Sequence, residues 1–221
     1  MTAPEVLVAE AREALLNGPV FRVERAEAAP GGVEAVTADG VEFPKGRGLY
    51  AISEVTPSCV EAGTLDAPVG PGGLLYVGKA EKSLAQRDVR QHFGTGKTGW
   101  STVRRSFAAL LRDELGLVPV PRATASATST ALATFALTGE SDLRLTTWMT
   151  EHLALRVWRP PSNVVLAVVE REVIAELNPP LNLTHAGPRP LLKAARKVNG
   201  GLGHDPYWLT EWTPDRLRSH V

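Results

Sequence analysis

Two short tyrosine-containing segments constrain the fold of this chain more than any other feature. Gly48-Leu49-Tyr50 begins a strand-like segment over residues 48–55, and Tyr76-Val77-Gly78-Lys79-Ala80 ends another over residues 74–80. Side chains alternate between the two faces of a strand, and opposed side chains of paired strands share a face. The two segments therefore predict a hairpin with both tyrosine rings on one face. Two half-buried sheet tyrosines without chemical function would give the same pattern.

A glutamate inside an apolar helix stripe is the second constraining feature. Residues 163–178 are predicted to form a helix that ends before Pro179-Pro180. Glu170 falls among apolar residues at helical spacing, namely Leu166, Val169, Val173, Ile174 and Leu177. A carboxylate on a core-facing side costs several kcal/mol unless it is paired or binds a cation. Glu170 is therefore a candidate metal ligand, and a glutamate at the stripe edge that meets water or an arginine is the alternative.

The other segments predict helices and short strands around these two features. Helices are expected over residues 2–17, 83–93, 101–115 and 191–197 and from Ser141 onward, and strands over residues 20–24, 33–43 and 153–158. Ser101 and Ser141 are predicted helix N-caps, and Asp39-Gly40 is a predicted hairpin turn. Residues 119–138 are rich in Ala, Thr and Ser and are predicted to be loosely structured.

The charge distribution indicates a local basic surface within a neutral chain. The 221 residues carry 24 Lys and Arg against 24 Asp and Glu. Between residues 79 and 112 the cations outnumber the acids, with only Glu81 and Asp88 opposing Lys79, Lys82, Arg87, Arg90, Lys97, Arg104, Arg105 and Arg112. Such a cluster of cations is typical of a nucleic-acid-binding surface, although an ordinary solvated helix surface could have the same composition. The single cysteine, Cys59, excludes an internal disulfide.

Taken in order, these motifs resemble the GIY-YIG nuclease family. The matching positions are Gly48-Leu49-Tyr50, Tyr76-Val77-Gly78, Arg87, Glu170 and Asn182. Lys79-Ala80 and the spacing from Glu170 through Ile174 and Pro179 to Asn182 are similar to the bacterial excinuclease that incises DNA in repair. Residues 101–107 resemble, more loosely, a segment of homing endonucleases. Leu49 and Val77 replace isoleucines, and Arg87 lies one residue further from the second motif than the family spacing, which implies a one-residue insertion before it.

The resemblance implies an α/β (α+β) fold with a small, mainly antiparallel three-stranded central sheet flanked by helices. It covers residues 46–184, with insertions at 56–73 and 119–138. Residues 1–45 would then be an N-terminal accessory region of helix and hairpin, packed on the core, and residues 185–221 a C-terminal extension. The chain has no helix-hairpin-helix repeat and no zinc finger, so target selection is expected to come from the core, the insertions or the tail.

The resemblance also implies a metal-dependent endonuclease that hydrolyses DNA phosphodiester bonds in duplex or branched DNA. Glu170 would bind Mg²⁺, with Mn²⁺ as the alternative, Arg87 would clamp a phosphate, and Tyr50 or Tyr76 would activate the attacking water. The further residues expected to contact substrate are Lys79, His92, Arg104, Arg105 and Asn182, of which Asn182 would brace the site by hydrogen bonds. A non-catalytic nucleic-acid-binding module that keeps the fold is the alternative function.

Two further expectations concern the surroundings of the site. Trp100, in the loop beside Ser101, is expected to pack in the core, and stacking on a base is the alternative. No apolar run approaches the roughly 18 residues of a membrane span, and the first residues lack the pattern of a signal peptide. A cytoplasmic protein is therefore expected.

Overall fold

The computed structural model describes residues 4–26, 32–37, 40–55, 65–122 and 134–204. Its strands are β1 (Phe21–Arg25), β2 (Val33–Val36), β3 (Gly48–Glu54), β4 (Leu74–Ala80), β5 (Pro119–Pro121), β6 (Phe135–Leu137) and β7 (Leu153–Trp158). Its α-helices are α1 (Pro4–Asn17), α2 (Thr102–Leu110), α3 (Arg112–Leu115), α4 (Gly139–His152), α5 (Leu166–Leu177) and α6 (Pro190–His204). A π-helix covers Ala85–Phe93, and short 3₁₀ turns cover Pro71–Gly73 and Thr98–Trp100.

One antiparallel sheet organises the described part of the chain. Its strand order is β2-β1-β7-β3-β4, and every pairing is antiparallel. The predicted fold class, an antiparallel sheet flanked by helices, is confirmed. The predicted three-stranded sheet corresponds to β7, β3 and β4. The N-terminal hairpin β1-β2 extends it to five strands, because β1 pairs edge-on with β7 rather than packing on the core as a separate layer.

The sheet separates two apolar cores, and β3 contributes to both. Leu49 and Ala51 lie in the core formed with α1 and α5. Tyr50 and Ile52 lie in the other core, with side chains from the π-helix, α2 and α4. Because β3 is covered on both faces, its sequence is a nearly continuous apolar run, as in central strands buried on both sides.

Several predicted boundaries are wrong in instructive ways. Thr138, not Ser141, caps α4, since its side chain accepts the Ser141 backbone N–H, and α5 begins at Leu166 rather than at residue 163. The helix expected over residues 101–115 is divided at Leu111 into α2 and α3. Residues 119–138 are not loosely structured at their two ends, because β5 and β6 pair there.

Some predictions fall on residues outside the described ranges. These are Asp39 of the hairpin turn, residues 56–64 of the loop over residues 56–73, with Cys59, the middle of the 119–138 insertion and the chain after residue 204. Within the described residues, no helix combines the length and apolarity that crossing a membrane requires.

Candidate active site

An open cleft of about 460 Å³ contains the two tyrosines of β3 and β4 in its lining. Among the residues that line it are Tyr50 from β3, Tyr76 and Lys79 from β4, Arg87 from the π-helix and Glu170 from α5. These five predicted site residues come from four separate elements of the chain. The fold therefore brings them together at one place.

The strand register explains why each tyrosine motif contains a glycine. Tyr50 pairs directly with Gly78 across β3 and β4. A Cβ at Gly78 would lie 2.5 Å from the Tyr50 hydroxyl oxygen, and one at Gly48 would lie 2.4 Å from the Trp158 carbonyl oxygen. Both glycines are thus required by close packing, and Gly78 lets the Tyr50 ring cross β4 beside Tyr76, with 6.1 Å between the ring centroids.

A buried chain of hydrogen bonds leads from Tyr50 away from the cleft. The Tyr50 hydroxyl lies 2.6 Å from His92 Nε2, and His92 Nδ1 lies 2.7 Å from Ser101 Oγ. Ser101 Oγ also accepts the Arg104 backbone N–H at 3.1 Å, which makes Ser101 the N-cap of α2, as predicted. His92 was predicted to contact a phosphate. It is instead buried, and it is the direct hydrogen-bonding partner of Tyr50.

The surroundings hold these groups in their neutral forms. Burial lowers the pKa of His92 to about 3, and the charges of Arg87 and Arg104 add to this effect. Burial also raises the pKa of Tyr50 well above its usual value and raises the pKa of Tyr76, to which the Glu170 charge contributes. Arg87 opposes both tyrosine shifts through its positive charge. The charge of Arg87 thus favours a phenolate at either tyrosine.

Arg87 and His92 are brought onto one side by the π-helix. In a π-helix residues five apart are stacked one turn above another, because its hydrogen bonds join i and i+5. Arg87 and His92 have this spacing within Ala85–Phe93, and both interact with Tyr50. In an α-helix the residue one turn after Arg87 would instead be Gln91.

Glu170 faces the cleft and is partly covered, with 16% of its side chain exposed. Its Oε2 lies 3.2 Å from Lys79 Nζ, and the same ammonium lies 3.5 Å from Glu81 Oε1. Among the described residues, no cluster of three His, Cys, Asp or Glu side chains could hold a metal ion. A single carboxylate beside an open cleft suits Mg²⁺, which prefers oxygen ligands and keeps several of its waters.

Two arginines predicted to contact substrate are buried away from the cleft. Arg104 is fully buried, and its guanidinium pairs with Asp142 and donates to the His92 carbonyl, Thr98 and Thr146. Arg105 is also buried and donates to the Gly99 carbonyl at 2.8 Å. Both side chains brace the segment between the π-helix and α2. The sequence could not distinguish them from surface cations, because their acceptors come from distant side chains or from irregular backbone.

Asn182 braces the strand that carries the second motif. Its side-chain Oδ1 accepts the Val77 N–H at 2.9 Å, and its Nδ2 donates to the Val77 carbonyl at 2.8 Å. Because β4 is the last strand of the sheet in the described part of the chain, these backbone groups have no strand partner there on that side. The buried amide of Asn182 takes the place of a neighbouring strand directly between Tyr76 and Gly78.

Asp88 is a buried group near the site that the sequence analysis treated only as an opposing charge. Its side chain is fully buried, and neither carboxylate oxygen has a hydrogen-bond partner among the residues that the structure describes. Burial raises its pKa well above the usual value, and its charge acts on both tyrosines. No sequence signal identifies such a residue, because its burial follows from how the π-helix is wound.

A family model described as the GIY-YIG catalytic domain matches residues 71–197, more than half of the chain. The match includes Tyr76, Arg87, Glu170 and Asn182 and begins after the strand that carries Tyr50. No curated protein and no solved structure matches the chain.

Proposed function

Because this chain belongs to the GIY-YIG catalytic domain family, we propose that it is a metal-dependent endonuclease that hydrolyses phosphodiester bonds in DNA. The family implies nuclease activity on nucleic acid in general. The observation that carries the finer proposal is the cleft lined by Tyr50, Tyr76, Lys79, Arg87 and Glu170. It combines a candidate base, cations for a phosphate and a carboxylate for a metal within one site.

The first task of the site is to hold a charged phosphate. Lys79, Lys82 and Arg87 line the cleft, opposed there by Glu81 and Glu170. A guanidinium can bind two phosphate oxygens at once and stays charged, whereas an ammonium acts as a point charge. In the proposed complex Arg87 therefore orients the scissile phosphate and stabilises the charge that develops on it.

The second task is to accept a proton from the attacking water, and we assign it to Tyr50. The neutral His92 ring carries one proton, which it donates either to Ser101 Oγ or to the Tyr50 oxygen. In the second arrangement the Ser101 hydroxyl donates to Nδ1, and Tyr50 has released its hydroxyl proton to solvent. The Nε2–H and the Arg87 charge stabilise the resulting phenolate, which then takes a proton from the attacking water. Tyr76 lacks an imidazole contact of this kind among its described hydrogen bonds and is assigned to positioning the water.

The third task belongs to Glu170. When Mg²⁺ is bound, it supplies Lewis-acid stabilisation of the phosphate and of the leaving oxygen, and Glu170 is the residue that would hold it. Lys79, now paired with Glu170 at 3.2 Å, would then be released toward a substrate phosphate. Asn182 keeps the motif strand in place through its two hydrogen bonds to Val77.

The proposal is tested by nicking of supercoiled plasmid and of branched duplexes with Mg²⁺ or with EDTA. Glu170→Ala is expected to abolish cleavage and to leave DNA binding largely intact. Glu172→Ala is the matched control, because Glu172 lies on the same helix, is half exposed and pairs with Arg171. Equal cleavage by the Glu170 and Glu172 variants would refute the assignment.

Arg87 is tested in the same assay. Arg87→Ala is expected to lower kcat/KM by about 10²- to 10³-fold, the usual loss for one group that stabilises developing charge. Arg171→Ala, an exposed arginine outside the cleft, is the control. DNA binding without nicking by the unmodified protein in any metal would favour the non-catalytic binding module instead.

A further inference from the structure

A second cleft of about 530 Å³ adjoins the candidate active site and has no role in the mechanism above. It is lined by Gln86, Arg90, Gln91, Lys97 and Trp100. Gln86 and Gln91 also line the first cleft, so the two clefts are separated only by one turn of the π-helix. A nucleic-acid strand that occupies the first cleft can therefore continue directly into the second.

Trp100 is the unusual residue of this second cleft. Its side chain was expected to pack in the core, yet the residue is 59% exposed, the highest exposure of any described aromatic residue. One face of its ring is covered by the Arg122 guanidinium, whose central carbon lies 3.7 Å from the ring centroid. The ring is thus backed by a cation on one side and is open on the other.

The backbone that carries Trp100 is fixed by several hydrogen bonds. Its N–H donates to the Lys97 carbonyl at 2.9 Å, and its carbonyl accepts from Gln91 Nε2 at 3.1 Å. The buried Arg105 donates to the preceding Gly99 carbonyl at 2.8 Å. An exposed indole on an anchored backbone loses little conformational entropy when a second ring stacks on it.

We infer that the second cleft binds an unpaired nucleobase, stacked on the open face of Trp100, with Lys97 and Arg90 contacting phosphates of the same strand. This inference rests on the proposed function and specifies its substrate as DNA with unpaired nucleotides beside the cleaved bond. Every base has a face suited to aromatic stacking. In a regular duplex both faces of each base are already covered by neighbouring base pairs.

Duplex backbone alone is a poorer occupant of this surface. The cations of the cleft are sufficient to bind phosphates, so phosphate contacts alone do not account for an exposed indole beside them. An apolar protein segment is also a poor fit, because Trp100 is the one large apolar side chain among the lining residues and two cations stand beside it. The combination of ring, cations and amides matches a single strand.

The inference is tested by binding in EDTA, which separates it from cleavage. Two DNA probes of equal length are compared, a perfect duplex and the same duplex with unpaired nucleotides at its centre, one of which is 2-aminopurine. The unmodified protein is expected to prefer the second probe and to quench its 2-aminopurine fluorescence. Trp100→Ala is expected to weaken binding of that probe by about 5- to 150-fold, to abolish the quenching and to leave duplex binding unchanged.

Three further variants complete the test. Trp100→Phe keeps an aromatic ring and is expected to restore most of the preference, which also guards against a folding defect in the alanine variant. Lys97→Gln is expected to weaken both probes alike, and Val165→Ala, exposed and outside both clefts, is expected to change neither. Equal effects of Trp100→Ala on both probes, no effect on either probe, or unchanged quenching would overturn the inference.

The outcomes also separate this inference from the proposed function. If the protein shows the Trp100-dependent preference but cuts neither probe when Mg²⁺ is added, the nuclease proposal fails and the stacking site stands. If it cuts both probes equally and the preference is absent, the stacking site fails and the nuclease proposal stands. Absence of binding to either probe would refute both.

Discussion

Asn182→Ala is expected to destabilise the protein and to disturb the catalytic strand at the same time. Asn182 is buried, and its amide bonds both the N–H and the carbonyl of Val77, at 2.9 and 2.8 Å. Val77 is itself fully buried in the core against α1 and α5. Alanine would leave two buried backbone groups of the edge strand β4 without a partner.

The magnitude follows from those two groups. A buried donor or acceptor that loses its partner costs about 1–3 kcal/mol, so the pair is worth about 2–6 kcal/mol. The bond from the Leu181 N–H to the Leu75 carbonyl at 3.0 Å does not involve the side chain and keeps the segment against β4. We therefore expect Asn182→Ala to lower the free energy of unfolding by about 2–4 kcal/mol, near the lower end of that range.

Urea unfolding monitored by circular dichroism measures this loss, and plasmid nicking measures its effect on the site. Asn17→Ala is the control, because the Asn17 side chain bonds the exposed Glu13 carboxylate, and a surface change of this kind is expected to stay within about 0.5 kcal/mol. Asn182→Asp retains the acceptor for the Val77 N–H but sets a carboxylate against the Val77 carbonyl, so it is also expected to destabilise at neutral pH. If Asn182→Ala were no more destabilising than Asn17→Ala, the amide would not be closing the edge of β4.

Three other predictions follow from buried groups near the cleft. Burial raises the pKa of Asp88, so above the unfolded pKa of about 3.9 the native state binds more protons than the unfolded state. The free energy of unfolding therefore falls as the pH rises toward the folded pKa. Asp88→Asn is expected to have a higher free energy of unfolding than the unmodified protein between pH 5 and pH 8. Because the pKa of Tyr50 is also raised, log kcat/KM is expected to rise with pH between about 7 and 9, and a flat profile would exclude Tyr50 as the base that accepts the proton. Gly78→Ala would place a methyl group 2.5 Å from the Tyr50 hydroxyl, so it is expected to cost about 1–3 kcal/mol of stability and to lower the nicking rate by at least about tenfold, whereas Gly139→Ala, where the added methyl meets open space, serves as the unaffected control in both assays.

The two strands that carry the tyrosines and the end of α5 could be predicted, because their sequence signals are local. Period-two segments around Tyr50 and Tyr76 lie within seven-residue strands, and an apolar stripe with a following proline defines the end of α5. Side-chain alternation allows both rings to lie on one face of the hairpin, and the pairing of Tyr50 with Gly78 puts them there. The strands and the helix end by themselves require no knowledge of distant contacts.

The roles of the basic residues could not be predicted, because they depend on acceptors far along the chain. Arg104 is buried by its pairing with Asp142, 38 positions later. Lys97, four residues before Ser101, lies instead in a solvent-facing cleft with Trp100. In the sequence, Arg104 and Lys97 are both simply cations of one basic stretch. Only the folded position of α4, which supplies Asp142, distinguishes the structural cation Arg104 from Lys97, which can contact a phosphate.

The π-helix gives a physical account of the one-residue insertion that the sequence implies before Arg87. An extra residue in an α-helix would rotate everything after it by about 100°, and either Arg87 or His92 would then leave the tyrosines. A π-helix accommodates one more residue in each turn, so Arg87 and His92, five positions apart, remain on the same side. Winding of this kind is rare overall but frequent at functional sites, and here it also buries Asp88 without a hydrogen-bond partner among the described residues. The arginine and the histidine thus both reach Tyr50 from one helix. Rewinding this segment as an α-helix would therefore separate Arg87 from His92, because residues five positions apart do not share an α-helical face.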